Sequence, residues 1–341
     1  MYEERYELTL RSFIVKRLAY TAILVFFVIV LNFIIFEAMP GAAGPLYSCL
    51  GVQRVSPAFC QKMMDLYGAN QPYWIRFLEY LKVMFTFNFG YSFASNQAVT
   101  YEMISSGKLF NTLELLGTST VLAIVIGTVM GVIISPKRGS SSDSFLVTAS
   151  LTTFSLPTFF IGILMIFIFA VALGWFPPGG THPYTWDLVG AGLTPSFLAQ
   201  IPIRLQYLFL PALTLSLFSY GGFLLLTRAT MIDTLSEDYI LTARAKGLSE
   251  RAILFKHAFK NASLPLITNA ALSFAFILSG AVITETIFNW DGLGRWLYTS
   301  IGYKDFPVME AMFYIIALCV IAANFISDLL YGIADPRIRY E

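Results

Sequence analysis

Long apolar runs with few or no charges are the feature that most limits what this chain can fold into. Residues 18–36 form the first run, and its length of about nineteen residues is close to the roughly twenty that cross the hydrocarbon core of a bilayer. Runs of similar or greater length follow at 109–135, 145–175, 207–227, 266–287 and 309–331. We therefore predict an all-α, polytopic membrane protein with six transmembrane helices.

Composition excludes the main alternatives to a membrane protein. Hydrophobic residues make up 57% of the 341 residues, charged residues 13%, and the mean hydropathy is +0.68, which is too apolar for a soluble globular chain of this length. The formal net charge of +1 and the lack of a basic tract do not favour nucleic acid as a partner. Three cysteines are too few for a disulfide scaffold.

The first apolar run has two interpretations, a retained span or a cleaved signal peptide. The run is long for a signal peptide, and the residues that follow it, 37–40, lack a convincing small-residue cleavage site. We predict a retained first helix.

The distribution of basic residues predicts the orientation of the spans. Fourteen Lys and Arg fall in the segments that six spans would place on one side, and eight fall in the longer segments on the other side. The positive-inside rule then puts both termini in the cytoplasm. The predicted organisation is a cytoplasmic segment 1–17, helix 1 at 18–37, an extracytoplasmic loop or subdomain 38–108, a helical core 109–331 that includes a cytoplasmic loop 234–264, and a cytoplasmic tail 332–341.

Two features inside the runs predict local geometry. Gly127 and Gly131 form a small-xxx-small pair that would let another helix approach closely. Pro157 lies within the third run, where it removes a backbone donor and predicts a kink. A second outer loop is expected at 179–206, rich in Pro, Gly and Thr.

The charged stretch between the fourth and fifth runs predicts two short helices. Ser236 is the expected cap of the first helix, and Gly247 is placed to adopt the left-handed conformation that ends it. The second helix is expected from about Ser249 to Lys260. Its 3/4 spacing places Ala252, Phe255, Ala258 and Phe259 on one stripe.

Several motifs in this chain resemble one family. T-A-R-A-K-G-L-S-E-R at 242–251, H-A-x-x-N at 257–261 and L-P at 264–265 resemble the cytoplasmic coupling loop of ABC-transporter permeases, in particular the dipeptide and oligopeptide importer branch. The resemblance covers nearly the whole chain. Further matching segments lie at 66–72 (L-Y-G-A-N-Q-P), 89–92 (F-G-Y-S), 155–162 (S-L-P-T-F-F-I-G), 173–177 (L-G-W-F-P), 290–295 (W-D-G-L-G-R) and 335–339 (D-P-R-I-R).

This sequence departs from the family pattern at a few positions. Leu241 stands where the coupling loop usually has an acidic residue, and Thr242 stands at its first alanine. Ala69 and Asn70 stand where relatives commonly have Leu-Asp. The missing carboxylate removes any salt bridge that would be anchored at position 241.

The resemblance implies a type I ABC importer permease fold and a docking role for the loop. Partner ATPase subunits would hold the loop in a cleft, and they would bind ATP and Mg, so no cofactor is expected on this chain. Other implied partners are a second homologous permease, an extracytoplasmic substrate-binding protein and membrane lipid, with the complex in the cell membrane. The residues expected to meet the ATPase subunit are Ala243, Arg244, Gly247, Arg251, Ala252, Phe255, His257, Phe259 and Pro265.

Catalytic chemistry is not expected in this chain. The predicted topology puts His182 and His257 on opposite sides of the membrane, so they cannot share a metal site, and no Cys/His/Asp cluster has ligand spacing. The sequence has no G-x-x-x-x-G-K-[ST] phosphate loop. An intramembrane enzyme would need a nucleophile or a metal pair at bilayer depth, and the sequence offers neither. We therefore predict a non-catalytic translocation subunit.

Polar residues inside the runs are the remaining candidates, since a charge at membrane depth is costly. They would line a pathway or contact another helix: Glu114, Glu285, Asn324 and Asp328. Asn32 is expected to be an interhelical hydrogen-bond partner. Cys49 and Cys60 lie in the first outer loop and would form either a disulfide or two free thiols.

The function that these observations favour is translocation of di- and oligopeptides through an ATP-driven importer. The same branch also carries oligosaccharides and nickel, so a di- or oligosaccharide is the alternative cargo, followed by a nickel complex. A gradient-driven secondary transporter is the alternative from another class, although neither an inverted repeat nor an ion site is visible in the sequence.

Overall fold

Helices make up the regular structure of the residues that the structure describes. The computed structural model describes residues 2–38, 56–66, 71–187, 196–263, 265–267, 269, 270, 273 and 281–334. Their helices, in chain order, are α1 (Tyr2–Phe33), α2 (Pro57–Leu66), α3 (Tyr73–Thr86), α4 (Val99–Ser105), α5 (Lys108–Ile134), α6 (Ser141–Ser155), α7 (Thr158–Met165), α8 (Phe197–Leu235), α9 (Asp238–Ala245), α10, which starts with Glu250–Ala252, α11 (Ala281–Ile287), α12 (Leu293–Tyr303) and α13 (Phe306–Ala334).

Three of these helices continue with a wider, π-helical pitch. Ile34–Ala38 extends α1 and Ile166–Ala172 extends α7. In α10 the π-helical stretch Ile253–Ala258 is followed by a last α-helical turn, Phe259–Ala262.

Four helical segments are long and apolar enough to cross a membrane. They are Ile14–Phe36, Lys108–Lys137, Leu198–Leu235 and Phe306–Ile326, and a bent pair would add a fifth. The predicted all-α membrane class is therefore confirmed. The predicted span at 266–287 and the loop 38–108 are described only in part, and the tail motif at 335–339 lies outside the described residues, so six spans remain a prediction.

The third predicted span is broken rather than merely kinked. Ser141–Ser155 and Thr158–Ala172 meet at 104°. Leu156 has extended φ and ψ of −78° and 137°, as expected for a residue before proline, and Pro157 is the N-cap of α7. Proline at this position thus ends one helix and starts the next.

The fourth span begins earlier than its apolar run predicts. α8 starts at Phe197 and holds Pro202 and Pro211 within the helix. The last ten residues of the predicted loop 179–206 are therefore helical, because apolar neighbours on both sides of Pro202 and Arg204 keep them part of a long hydrophobic helix.

The chain divides into two compact units, with α5 passing from the first to the second after Leu113. In the first unit α1 packs along α13, and the Asn32 side-chain amide donates to the carbonyl oxygen of Glu310 at 3.2 Å. Asn32 therefore makes the predicted interhelical hydrogen bond. The core of this unit is built from buried side chains of α1, α3, α12 and α13, including Ile29, Phe33, Tyr80, Met84, Trp296 and Met312.

The second unit is built on the close packing of α5 against α8. A Cβ on Gly127 would lie 2.4 Å from the carbonyl oxygen of Tyr220, and one on Gly131 would lie 2.5 Å from Cβ of Thr227. The predicted close approach at this glycine pair is confirmed. Below it, α9 and α10 pack on the ends of α5 and α8 through Val132, Met231, Ile240, Ile253 and Ala258.

Candidate functional site

The charged stretch folds into the predicted helix pair, α9 and α10. Gly247, between them, has φ of +74°, which confirms the predicted left-handed turn, since glycine adopts this conformation without a Cβ penalty. The Ser249 hydroxyl caps α10 by accepting from the amide of Ala252 at 3.3 Å. The predicted cap of α9 is wrong: Ser236 donates its hydroxyl to the carbonyl oxygen of Asp233 and so belongs to the end of α8.

Side-chain contacts hold the two short helices against each other. Arg244 Nε donates to Glu250 Oε1 at 3.1 Å across the glycine turn. The Asn261 amide donates to the Tyr239 hydroxyl at 2.8 Å. An exposed ion pair contributes little stability, but this one orients the guanidinium of Arg244 on the surface of the pair.

The residues predicted to dock fall into three groups in the structure. Arg244, Gly247, Arg251, Phe255 and Pro265 are exposed, and Ala252, His257 and Phe259 are partly exposed. Ala243 instead packs in the core of the second unit beside Ile240 and Ile253, where it supports the surface from below.

The predicted stripe on the second helix is wrong at Ala258, which is fully buried within the chain. The stripe assumed a regular 3.6-residue pitch, whereas Ile253–Ala258 is π-helical, with bonds from i to i+5 that change the side-chain register. Phe255 and Phe259 consequently line an apolar groove of about 410 Å³ together with Val125 and Val129 of α5.

An ion pair that the sequence analysis missed lies just before the helix pair. Arg228 on α8 donates to Asp143 on α6 through Nε (2.5 Å) and Nη2 (2.7 Å), a bidentate arrangement. Asp143 Oδ2 also accepts from the Gly139 amide at 2.8 Å. The only sequence signal for this ion pair is the S-x-x-D helix-start pattern at 140–143. There the Ser140 hydroxyl accepts from the amide of Asp143 at 3.3 Å.

Glu285, a predicted pathway or helix-contact residue, lies against the start of α12 in the first unit. Its carboxylate accepts from the Thr112 hydroxyl at 2.7 Å and from the amide of Arg295 at 2.9 Å, and its side chain is fully buried. The Thr112 hydroxyl in turn accepts from the amide of Leu293 at 2.8 Å. These bonds satisfy the free amides of the first turn, and the helix dipole favours a negative charge there.

The same contact accounts for the glycines of W-D-G-L-G-R. A Cβ on Gly292 would lie 2.5 Å from the Glu285 carboxyl group, and one on Gly294 would lie 2.7 Å from Cα of Val282. The Asn111 amide donates to the carbonyl oxygen of Asp291 at 2.7 Å. The start of α5 therefore fixes this turn in place.

The other predicted polar residues have separate surroundings. Glu114 accepts from Arg204 Nη2 at 2.6 Å within the second unit, and Asp328 lies 2.9 Å from Arg17 Nη1 within the first. Asn324 is exposed on α13. Cys49 and the side chain of Cys60 lie outside the described residues, so their disulfide remains a prediction.

A buried carboxylate also anchors the F-G-Y-S segment. Asp305, between α12 and α13, accepts from the Ser92 hydroxyl at 2.5 Å and from the amides of Phe93 and Ala94 at 3.0 and 3.1 Å. Burial raises the pKa of Asp305, while these hydrogen bonds act in the opposite direction. Within the described ranges, no three or more His, Cys, Asp or Glu residues are grouped to hold a metal ion.

The comparisons with known proteins place this helical, multi-pass membrane protein in the class of transport permeases. Residues 89–340 match the family of binding-protein-dependent transport system inner membrane components. The chain belongs to this family, and the predicted resemblance to dipeptide and oligopeptide importer permeases is confirmed.

Curated relatives extend over nearly the full length. The chain is 36% identical over 97% of its length to the di/tripeptide transport system permease protein DppB of Pseudomonas aeruginosa, covering 99% of that protein. It is 34% identical over 96% to the oligopeptide transport system permease protein AppB of Bacillus subtilis, again covering 99% of it. It is 33% identical over 97% to the glutathione transport system permease protein GsiC of Escherichia coli, of which it covers 99%.

Proposed function

We propose that this chain is a permease subunit of an ATP-driven importer and that its cargo is a di- or oligopeptide. The observation that carries the proposal is full-length similarity to permeases named for di/tripeptides, oligopeptides and glutathione. Glutathione is itself a γ-linked tripeptide, so the three names describe one chemical class.

The proposed complex contains a second homologous permease, two ATPase subunits and an extracytoplasmic binding protein. ATP and Mg are bound by the ATPase subunits, and this chain has no catalytic role. The permease lies in the cell membrane with both termini and the α9–α10 pair on the cytoplasmic side, the orientation favoured by its basic residues.

In the proposed mechanism the exposed residues of α9 and α10 sit in a cleft of an ATPase subunit. Closure of the ATPase dimer on ATP moves this pair, and the membrane helices rock as rigid bodies between inward-facing and outward-facing states. The Arg228–Asp143 pair supports the proposal because it ties α8, which leads into the helix pair, to α6 by two charge-assisted bonds.

Reconstitution tests this proposal. The tagged chain would be purified with its accompanying subunits, identified by mass spectrometry, and placed in vesicles with ATP on the side of the ATPase subunits. We expect uptake of a labelled dipeptide that requires both ATP and the binding protein. Uptake driven by an ion gradient without ATP would favour a secondary transporter, and ATP-driven uptake of an oligosaccharide or a nickel complex instead of peptides would favour the alternative cargoes.

A further inference from the structure

Helix α3 presents three different sides around its axis. One side, formed by Arg76, Tyr80, Val83 and Met84, is buried in the core of the first unit. A second side is apolar and exposed: Trp74, Leu78 and Phe85 are 66%, 55% and 62% accessible. At about 100° per residue these three fall within roughly 40° of one another.

The third side of α3 is polar. Lys82 and Glu79 lie 3.7 Å apart as an ion pair, with side chains 71% and 44% accessible, and Thr86 lies beside them at the end of the helix. On the helical wheel this side lies between the apolar stripe and the edge of the buried side formed by Arg76 and Val83. A helix with one apolar and one charged solvent side is typical of the membrane–water interface.

Ring contacts show which part of α1 helix α3 packs against. The Phe77 ring lies 5.2 Å from the ring of Phe33 and 6.4 Å from that of Phe26. The membrane-crossing segment of α1 ends at Phe36. With a rise of 1.5 Å per residue, Phe33 and Phe26 lie about 5 and 15 Å before that end along α1, so Phe77 packs against the membrane-crossing part of α1.

The exposed apolar surface of α1 next to α3 indicates what covers the stripe. Only 17% of the most apolar 18-residue stretch of α1 is buried inside the chain. Phe26 and Phe27 in α1 are each more than half exposed. Lipid suits such an apolar surface, and Phe77 joins α3 to this part of α1. The indole of Trp74 also suits the boundary between acyl chains and headgroups.

We propose that α3 is an interfacial helix whose Trp74, Leu78 and Phe85 contact the acyl chains of membrane lipid, with Lys82 and Glu79 turned toward water. The sequence pattern alone predicts that residues 38–108 lie outside the membrane. The proposal rests on the membrane-spanning character of the chain and is independent of the proposed cargo and of ATP.

Spin labels at positions 78 and 79 test this contact. The two positions are adjacent along the helix but about 100° apart around it, so Glu79→Cys is a matched control for Leu78→Cys. The native cysteines would be replaced by serine, and the full chain with its accompanying subunits placed in phospholipid nanodiscs. Accessibility to oxygen, which concentrates in lipid, would then be compared with accessibility to a water-soluble nickel chelate.

The ratio of oxygen to chelate accessibility is expected to be several-fold higher at position 78 than at position 79. Equal ratios would overturn the proposal, because the stripe would then face water. Low accessibility to both reagents at position 78 would also overturn it, because protein would then cover the stripe.

Fluorescence supplies a second measurement that needs no label. In nanodiscs made with lipids brominated on the acyl chains, Trp74→Phe should remove a measurable part of the quenchable tryptophan emission of the otherwise native chain. An unchanged quenchable fraction would contradict the contact.

Discussion

Thr112 makes two hydrogen bonds with one hydroxyl group. It donates to the carboxylate of Glu285 and accepts from the amide of Leu293, so three separate segments of the first unit meet at this atom. Its side chain is buried, and a buried polar group that loses its partner costs more than the bond itself contributes. The turn at W-D-G-L-G-R therefore depends on a residue almost two hundred positions away.

Replacing Thr112 tests this dependence. Thr112→Val keeps the shape but leaves the amide of Leu293 without its acceptor and Glu285 with one donor fewer, which should cost about 1–3 kcal/mol of stability. Thr112→Ser keeps the hydroxyl and is the control. The thermal midpoint of the detergent-purified protein should fall for valine and change little for serine, and equal midpoints for both variants would show that the hydroxyl is dispensable.

The Arg228–Asp143 pair can be measured by a double-mutant cycle. Both side chains are largely shielded from water, and a bidentate pair exceeds an exposed one in strength. Arg228→Gln and Asp143→Asn should each destabilise the second unit, and the double variant should lose less than the sum of the two, with a coupling energy of about 0.5–3 kcal/mol. Additive losses in denaturant or heat unfolding would mean that the two groups act independently.

At the scale of the helix, small residues set how closely elements pack. Sequence spacing was sufficient to predict the close helix contact at Gly127 and Gly131 and the left-handed turn at Gly247. It was insufficient for α10, where Ile253–Ala258 is π-helical and Ala258 is buried in a core shared with α5 and α8. A regular pitch assumed from sequence cannot anticipate a change that tertiary contacts impose.

The α5–α8 contact gives a prediction with a built-in control. Gly127→Ala places a Cβ 2.4 Å from the carbonyl oxygen of Tyr220, whereas a Cβ on Gly117 in the same helix has open space within 4 Å. Overpacking of this kind costs about 1–3 kcal/mol. The Gly127 variant should lower the thermal midpoint and Gly117→Ala should not. A stable Gly127→Ala protein would mean that the two helices separate without cost.

The turn between α9 and α10 gives a functional prediction. Among the described residues no atom lies within 4 Å of a Cβ placed on Gly247, so Gly247→Val strains the chain through its left-handed backbone, at about 1–2 kcal/mol. The altered turn should lower peptide uptake per ATP hydrolysed, with the protein still in the membrane. Gly247→Asn is the control because asparagine tolerates this conformation. If the valine variant takes up as much peptide per ATP hydrolysed as the native protein, the geometry of this turn does not matter to the coupling of transport to ATP hydrolysis.

For the whole molecule, apolar runs predicted the spans well where a helix is continuous and poorly where it breaks. The runs at 109–135 and 309–331 match α5 and α13 closely. At Pro157 the run continues through a 104° bend, because hydropathy reports the surrounding solvent and not the backbone direction. The contacts of Asp143, Asp305 and Glu285 join residues far apart in sequence, so no local pattern could reveal them.

The orientation of the whole chain is the last testable consequence, since docking to an ATPase requires the α9–α10 pair to lie on the cytoplasmic side. Arg251 on α10 and Lys304 after α12 are both exposed, and the charge distribution predicts that they lie on opposite sides. In cysteine-free protein expressed without the ATPase subunits, Arg251→Cys should react with an impermeant maleimide only in inverted vesicles, and Lys304→Cys only in intact cells. If Arg251→Cys reacts in intact cells, the helix pair faces outward and cannot meet an ATPase. Energy for transport would then have to enter the protein at a site other than the α9–α10 pair. The side of the membrane on which Arg251 lies therefore tests the proposed transport mechanism directly.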